Sequence, residues 1–275
     1  MELQIIDTET NNSSVLTSEK KTELQLVYFD RHYPPVKLIE PTALGYIHIA
    51  AEVQPRSLPF SLFMPQARQK SELLAALKAL AQPLEQLDAV EKVTVFHASV
   101  MLPIERLSYI KQRKDTIHIP QFDIVVLIET KSVLATRDVQ TTPAYRTLVD
   151  TLTRKAEHMH IVTARNAKRI ADVDKTVPGL FLFNYFVADD VEVMLQLWDY
   201  LAGWYAVETG LDNSTLLVPQ EGESSDYLAI NHARWDVSLL RILWREFSTA
   251  TFTTYLQENL DANRVGSMPV WYWLV

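Results

Sequence analysis

Residues 44–53 read LGYIHIAAEV and residues 179–188 read GLFLFNYFVA. Each is a short, mostly apolar run that begins beside a glycine, the pattern of a buried strand. The segments after the two runs are alike. After the first, residues 71–88 (SELLAALKALAQPLEQLD) predict a helix with Ser71 as its N-cap. Its apolar stripe is Leu73, Leu74, Leu77, Leu80, Leu84 and Leu87, and Pro83 should kink it or end it early. Strands are expected at 91–100 and 122–130, then a helix opened by Thr142-Pro143 and running to about Arg154, then a strand at 158–165. After the second run, residues 190–209 predict a helix capped by Asp189 or Asp190, with Met194, Trp198, Leu201 and Tyr205 on one face. Strands at 214–219 and 226–235, a helix from Asp236 to about Asn259 and a last strand at 268–275 complete the pattern.

The order βαββαβ therefore occurs twice. Gly45 to Ile49 stands where Gly179 to Phe183 stands, and Leu87-Asp88 and Leu211-Asp212 each close a first helix. These landmarks predict a diverged internal duplication. The expected organisation is an N-terminal extension over 1–40, a first repeat over 41–170 and a second over 171–275. Within the extension, residues 7–22 read as a polar lead-in, 24–29 (LQLVYF) could form a strand, and His32 to Pro35 reads as a linker.

The 275 residues are 48% hydrophobic and 22% charged, enough for a sizeable core. The absence of cysteine excludes disulfides, thiolate catalysis and Cys-ligated metal, and suits a cytoplasmic protein. The six glycines include no dinucleotide or P-loop spacing, so no nucleotide cofactor is expected. A net charge of −8 argues against nucleic acid. No signal peptide is visible, and the apolar stretch from Val177 to Ala188 is too short to span a bilayer, so no membrane partner is expected.

A βαββαβ unit places two helices on one face of a four-stranded antiparallel sheet and leaves the other face to be covered. With two units in one chain, sheet should face sheet. This α+β arrangement, two tandem ferredoxin-like repeats over about residues 44–275, resembles the dimeric α/β-barrel superfamily. The resemblance rests on element order. It implies a cavity between the sheets or between sheet and helices. It also implies a range of activities: cofactor-independent monooxygenases, chlorite-dismutase-like and dye-decolourising haem enzymes, and proteins with no known activity.

Polar residues on apolar strands are the candidates for lining such a cavity. On the first strand, Ile47, Ile49 and Ala51 should meet the helices, leaving Tyr46 and His48 toward the second sheet. Leu180, Leu182, Asn184 and Phe186 are expected to form the equivalent face of the second repeat, with Asn184 as its polar member. His232 and Arg234 share a strand face and could hold an anionic or enolate oxygen, with Trp235 as a wall; Asn231 should point the other way. The expected ligand is a small hydrophobic or anionic organic molecule, bound by Tyr46, His48, Asn184, His232, Arg234 and Trp235.

Other constellations are weaker. His97, Ser99 and Asp123 allow a triad on paper but lack an oxyanion-hole signature. His158 and His160 form an H-x-H pair with no evident third ligand, so no metal is expected. A haem enzyme would need an axial histidine, and the second repeat offers only His232, on a strand. The basic loop 105–118 and the acidic loop 220–226 read as solvated hairpin loops or as a lid over an anionic ligand. The terminal VWYWLV is a sticky edge unless paired, so Trp271 and Trp273 suggest a homo-oligomer or a non-enzymatic assembly module.

Overall fold

The computed structural model describes residues 23–55, 68–98 and 107–275. Its elements are β1 (Gly45–Glu52), α1 (Arg68–Glu85), β2 (Val90–His97), α2 (Ser108–Arg113), β3 (Ile124–Thr130), α3 (Ala135–Thr141), α4 (Pro143–Thr153) and β4 (His158–Ala171). The second half has β5 (Leu180–Ala188), α5 (Val191–Thr209), β6 (Ser214–Pro219), β7 (Ala229–Trp235), α6 (Leu239–Ser248), a π-helical turn (Phe252–Gln257), α7 (Glu258–Ala262) and β8 (Val265–Leu274). The strands close into an antiparallel barrel in the order β1-β3-β2-β8-β5-β7-β6-β4. Both expected βαββαβ orders are present, and the α+β fold is as expected.

Closure joins the two halves along two seams. The long seam is β4 with β6, from Ala164 against Pro219 to Ala171 against Ser214. The short one is β2 with β8, at Phe96↔Leu274 and His97↔Trp273. β8 is thus paired on both sides, running along β5 from Val265 to Tyr272. The expected sticky edge does not exist. Trp271 is buried against Trp235, their ring centres 5.4 Å apart.

The period of two sorts each strand. Tyr46, His48, Val125, Leu127, Phe181, Phe183, Tyr185 and Tyr272 belong to the core that fills the barrel. Ile47, Ile49, Ala51, Ile124, Val126 and Ile128 face outward and pack under α1 and α4. Leu180, Leu182, Ala233, Trp235 and Trp271 face outward in the second half, under α5 and α6.

Several local expectations need correction. Residues 24–29 form no strand; Val27 and Tyr28 instead donate their N–H groups to the Asn259 carboxamide. α1 already begins at Arg68, so Ser71 lies inside it rather than capping it. The long helix expected from Asp236 is capped by Ser238 and ends at Ser248, before the π-helical turn and α7. The run Ser248-Thr249-Ala250-Thr251-Phe252-Thr253-Thr254 is rich in β-branched residues, which are poor helix formers. Asp190 and Thr142 cap α5 and α4 as expected. The lead-in 7–22, Ser99 and residues 105 and 106 of the basic loop lie outside the described residues. Among the described residues, no helix is long and apolar enough to cross a membrane.

Candidate ligand cavity

The barrel interior is packed with rings. His48 lies edge-on to Phe183 at 5.1 Å and to Tyr185 at 5.7 Å, and His232 stacks on Phe183 at 4.2 Å. The space lies elsewhere, on the outer face of the second half. A cavity of about 330 Å³ separates β5, β6, β7 and β8 from α5, α6 and the π-helical turn. That is at the lower end of the range for sites that take organic ligands.

Its floor is made of outward strand residues: Leu182, Asn184 and Phe186 of β5, Asn231 and Trp235 of β7, Ser214 of β6, and Ser267 and Pro269 of β8. Trp198, Leu201, Ala202 and Tyr205 of α5 form one wall, and Leu243, Glu246 and Phe247 of α6 form the other. α5 can line a cavity because its apolar residues surround it on nearly every side, so its strand-facing positions need not all touch the sheet.

The polar floor has a definite arrangement. Asn184 and Asn231 are direct partners across β5 and β7, so their carboxamides stand side by side. Ser267 Oγ donates to Asn184 Oδ1 at 3.0 Å, and Ser214 Oγ donates to Asn231 Oδ1 at 2.6 Å. Each serine occupies the amide oxygen and thereby fixes the amide's orientation. The amide nitrogens remain as the donors, set in an otherwise apolar chamber. Across it, Glu246 lies beside Tyr205, whose hydroxyl donates to Oε1 at 3.5 Å. Burial, and then the Glu246 carboxylate, push the Tyr205 hydroxyl well above its usual value, so it stays a donor.

The six residues singled out from the sequence do not share one site. Asn184 and Trp235 line the cavity; Tyr46, His48 and His232 face the barrel interior. The expected face of β5 is corrected. Phe181, Phe183 and Tyr185 point inward, which turns Asn184 out toward the helices, away from His48. Arg234 closes one end of the barrel, bonded to the Pro178 carbonyl at 2.8 Å and to Asp236, with its guanidinium 6.0 Å from the Phe181 ring centre.

The interior groups are held electrically silent. Burial pushes His48 and His232 well below the usual imidazole value and His160 down to about 4. Burial likewise raises Tyr46 to about 12. His160 bonds Ser225 at 3.0 Å, and His158 stacks on His118 at 3.9 Å, so the H-x-H pair does not converge. Among the described residues, no group of three or more His, Cys, Asp or Glu is placed to hold a metal ion. Asp123 is taken up by Lys70 at 2.6 Å and by the N–H groups of Val53 and Gln54, not by His97. In the basic loop, Arg113 pairs with Asp189 at 3.0 Å, and Leu107 reaches the cavity.

The residues present do not fit a histidine-ligated haem. Among the described residues, no histidine lines the cavity. His232 turns the other way, its Nδ1 donating to the Leu182 carbonyl at 3.1 Å.

No protein-family model matches the chain, and no curated protein matches it. Solved structures do match. An anthrone oxidase-like protein is 9% identical, with 88% of this chain and 94% of that one covered and a TM-score of 0.58. A Fusobacterium nucleatum subsp. nucleatum protein, provisionally named a monooxygenase, is 8% identical, with 84% and 91% covered and a TM-score of 0.52. What the chain shares with these two is the fold, here an eight-stranded antiparallel barrel built from two βαββαβ units. A mutant chlorite dismutase from Candidatus Nitrospira defluvii matches at 8% identity, covering 86% of this chain and 93% of its own, with a TM-score of 0.48. At such identities the likeness is one of fold.

Proposed function

We propose that this α/β barrel binds a flat, hydrophobic organic molecule bearing a carbonyl or enolate oxygen in the cavity of its second half. One observation carries this reading: two neighbouring carboxamides have both oxygens committed to serines, leaving their N–H groups as donors in an apolar chamber. Donors fixed in advance in a dry site suit an oxygen that gains negative charge. Trp198, Trp235 and Phe186 supply aromatic walls for the ring system. The cysteine-free composition favours a cytoplasmic setting.

The same cavity supports a cofactor-independent oxygenase reading. Glu246 is a carboxylate on the wall facing the amides, and one of the similar folds is an anthrone oxidase-like protein. In this reading Glu246 takes a proton from an activated C–H, and Asn184 and Asn231 hold the resulting enolate oxygen. The enolate then reacts with O2, converting a CH2 to a C=O with release of one water.

Titration with anthrone, read by quenching of tryptophan fluorescence, tests the binding. Saturable quenching is expected for the wild type and not for the Asn184→Leu/Asn231→Leu double variant. Quenching that never saturates, or is equal in both proteins, overturns the reading. Oxygen uptake with anthrone, lost in Glu246→Gln with binding retained, tests the chemistry.

A further inference from the structure

We propose that Gln257 is a specificity residue of this cavity, selecting ligands that carry a hydroxyl on an outer ring, away from the carbonyl; the inference rests on the cavity reading above. Gln257 ends the π-helical turn and lines the chamber, in a wall otherwise made of Leu107, Phe252, Leu256 and Leu260. Among the described residues, its carboxamide has no hydrogen-bond partner. The other amide oxygens of the lining are taken, those of Asn184 and Asn231 by serines. Tyr205 is bonded to Glu246, and Trp235 donates its Nε1–H to Thr209. Gln257 Oε1 is thus the amide oxygen of the lining left open as an acceptor.

The backbone that carries this amide is held on both sides. Tyr255 is fully buried, stacks on Tyr200 at 4.4 Å and donates its hydroxyl to the Tyr200 carbonyl at 3.1 Å. Asn259 is fully buried as well, and its amide nitrogen donates to the carbonyls of Tyr28 and Tyr255, each at 2.8 Å. Between them the chain is π-helical, with the Glu258 N–H bonded to the Thr253 carbonyl, and such turns are frequent at functional sites. A carboxamide on an anchored backbone among apolar side chains is costly to leave unpaired, so it favours a ligand that pairs it.

Its place in the chamber says which part of the ligand it meets. Asn184 and Phe186 stand two residues apart on β5, about 7 Å along the floor. Phe186 pairs with Ser267 near the start of β8, and Gln257 directly precedes α7, which leads into β8. Glu246 belongs to the opposite end, bonded to Tyr205, which packs with Leu182 and Trp235. The amide donors of Asn184 and Asn231 therefore lie between the carboxylate and Gln257. A ring system with its carbonyl oxygen on those amides and its acidic C–H toward Glu246 turns an outer ring to Gln257. A hydroxyl on that ring donates to Oε1 and accepts from Nε2, satisfying both halves of the amide.

The test is titration with anthrone, 3-hydroxyanthrone and 3-methoxyanthrone, read by quenching of tryptophan fluorescence. The wild type is expected to bind 3-hydroxyanthrone at least about fivefold more tightly than anthrone or the methyl ether, which has the bulk without the donor. Gln257→Leu should erase that preference and leave anthrone affinity within about twofold. Gln257→Glu, which keeps the acceptor, should retain the preference. Equal affinity of the wild type for the hydroxyl and methoxy compounds overturns the assignment, as does a preference that survives in Gln257→Leu. The wild-type comparison decides the matter even where a variant does not fold. Saturable anthrone quenching with no preference sinks the role of Gln257 alone. Quenching that saturates with none of the three compounds overturns the cavity reading and this assignment with it.

Discussion

The two outer faces of the barrel are built from the same layers, yet one is filled and the other hollow. In the first half, Ile47, Ile49, Val126 and Ile128 meet Leu77, Leu84, Leu148 and Leu152, all buried to within a percent or less of complete exclusion from solvent. In the second half, the corresponding outward positions include Asn184, Asn231, Ser214 and Ser267, and the facing helices leave about 330 Å³ between them. Branched aliphatic chains interdigitate to crystal-like density. Carboxamides and hydroxyls among apolar walls do not, and each polar group left unpaired costs about 1–3 kcal/mol. The second face therefore holds its amide donors in a more loosely packed space than the aliphatic face of the first half.

The largest measurable effect should come from the barrel core that both faces share. His48, His160 and His232 are kept neutral by burial, their folded-state values lying below the usual 6.5. As pH falls below that value, the unfolded chain gains protons that the folded chain cannot accept. Stability is therefore lost on acidification, at up to about 4 kcal/mol per pH unit for three histidines. The share of His160 stops growing below about pH 4, where its folded form also protonates, while His48 and His232 continue. Urea midpoints measured from neutral pH down to about 4 would show the slope, and His48→Leu should flatten it by roughly a third. A slope unchanged in that variant would mean that these rings are not the acid-sensitive part.

Next in size is the contrast between the faces themselves. Leu77→Ala, in the filled face, should cost about 2–5 kcal/mol in denaturant unfolding. Leu201→Ala, whose side chain already borders open space, should cost about half as much or less. Equal losses would remove the distinction.

Smaller again, the hollow face should separate binding from stability. Asn184→Leu or Asn231→Leu should each weaken anthrone binding by about 1–3 kcal/mol, while the unfolding free energy moves by less than about 1 kcal/mol. The smallest stability change is expected for Ala202→Phe, which fills the void from α5. Binding should be lost, with the thermal midpoint level or raised by a few degrees at most, about 1 kcal/mol.

Much of the fold was legible because its strands and helices carry clean periods. Ile47, Ile49 and Ala51 alternate with Tyr46, His48 and Ala50, and the direction of β1 came from which set was aliphatic. β5 has no such asymmetry. Leu180 and Leu182 on one side oppose Phe181, Phe183 and Tyr185 on the other, so periodicity sorts the two faces but does not say which one is inside. Aligning Gly45 with Gly179 placed Asn184 one residue out of register, on the face of His48. A cavity between sheet and helices is one of the two places the resemblance implies, but which half holds it is not legible, since a void depends on how far helices stand off a sheet. Ser214 and Ser267 are not legible for the same reason: a serine on a strand carries no signal until the amide it fixes lies beside it. The pairing of Asn184 with Asn231 across neighbouring strands was the one available signal, and it required the β5–β7 register.

The unequal seams give the barrel a direction of breathing. β4 and β6 are laced from Ala164 to Ala171, whereas β2 and β8 meet at Phe96↔Leu274 and His97↔Trp273, with Val275 N–H to the Val95 carbonyl alongside. Amide protons at the short seam should exchange with solvent by small local openings long before those of β4 and β6 do. An opening there would wet the ring-packed interior from the side of His97 and Trp273, whose ring centres lie 6.3 Å apart.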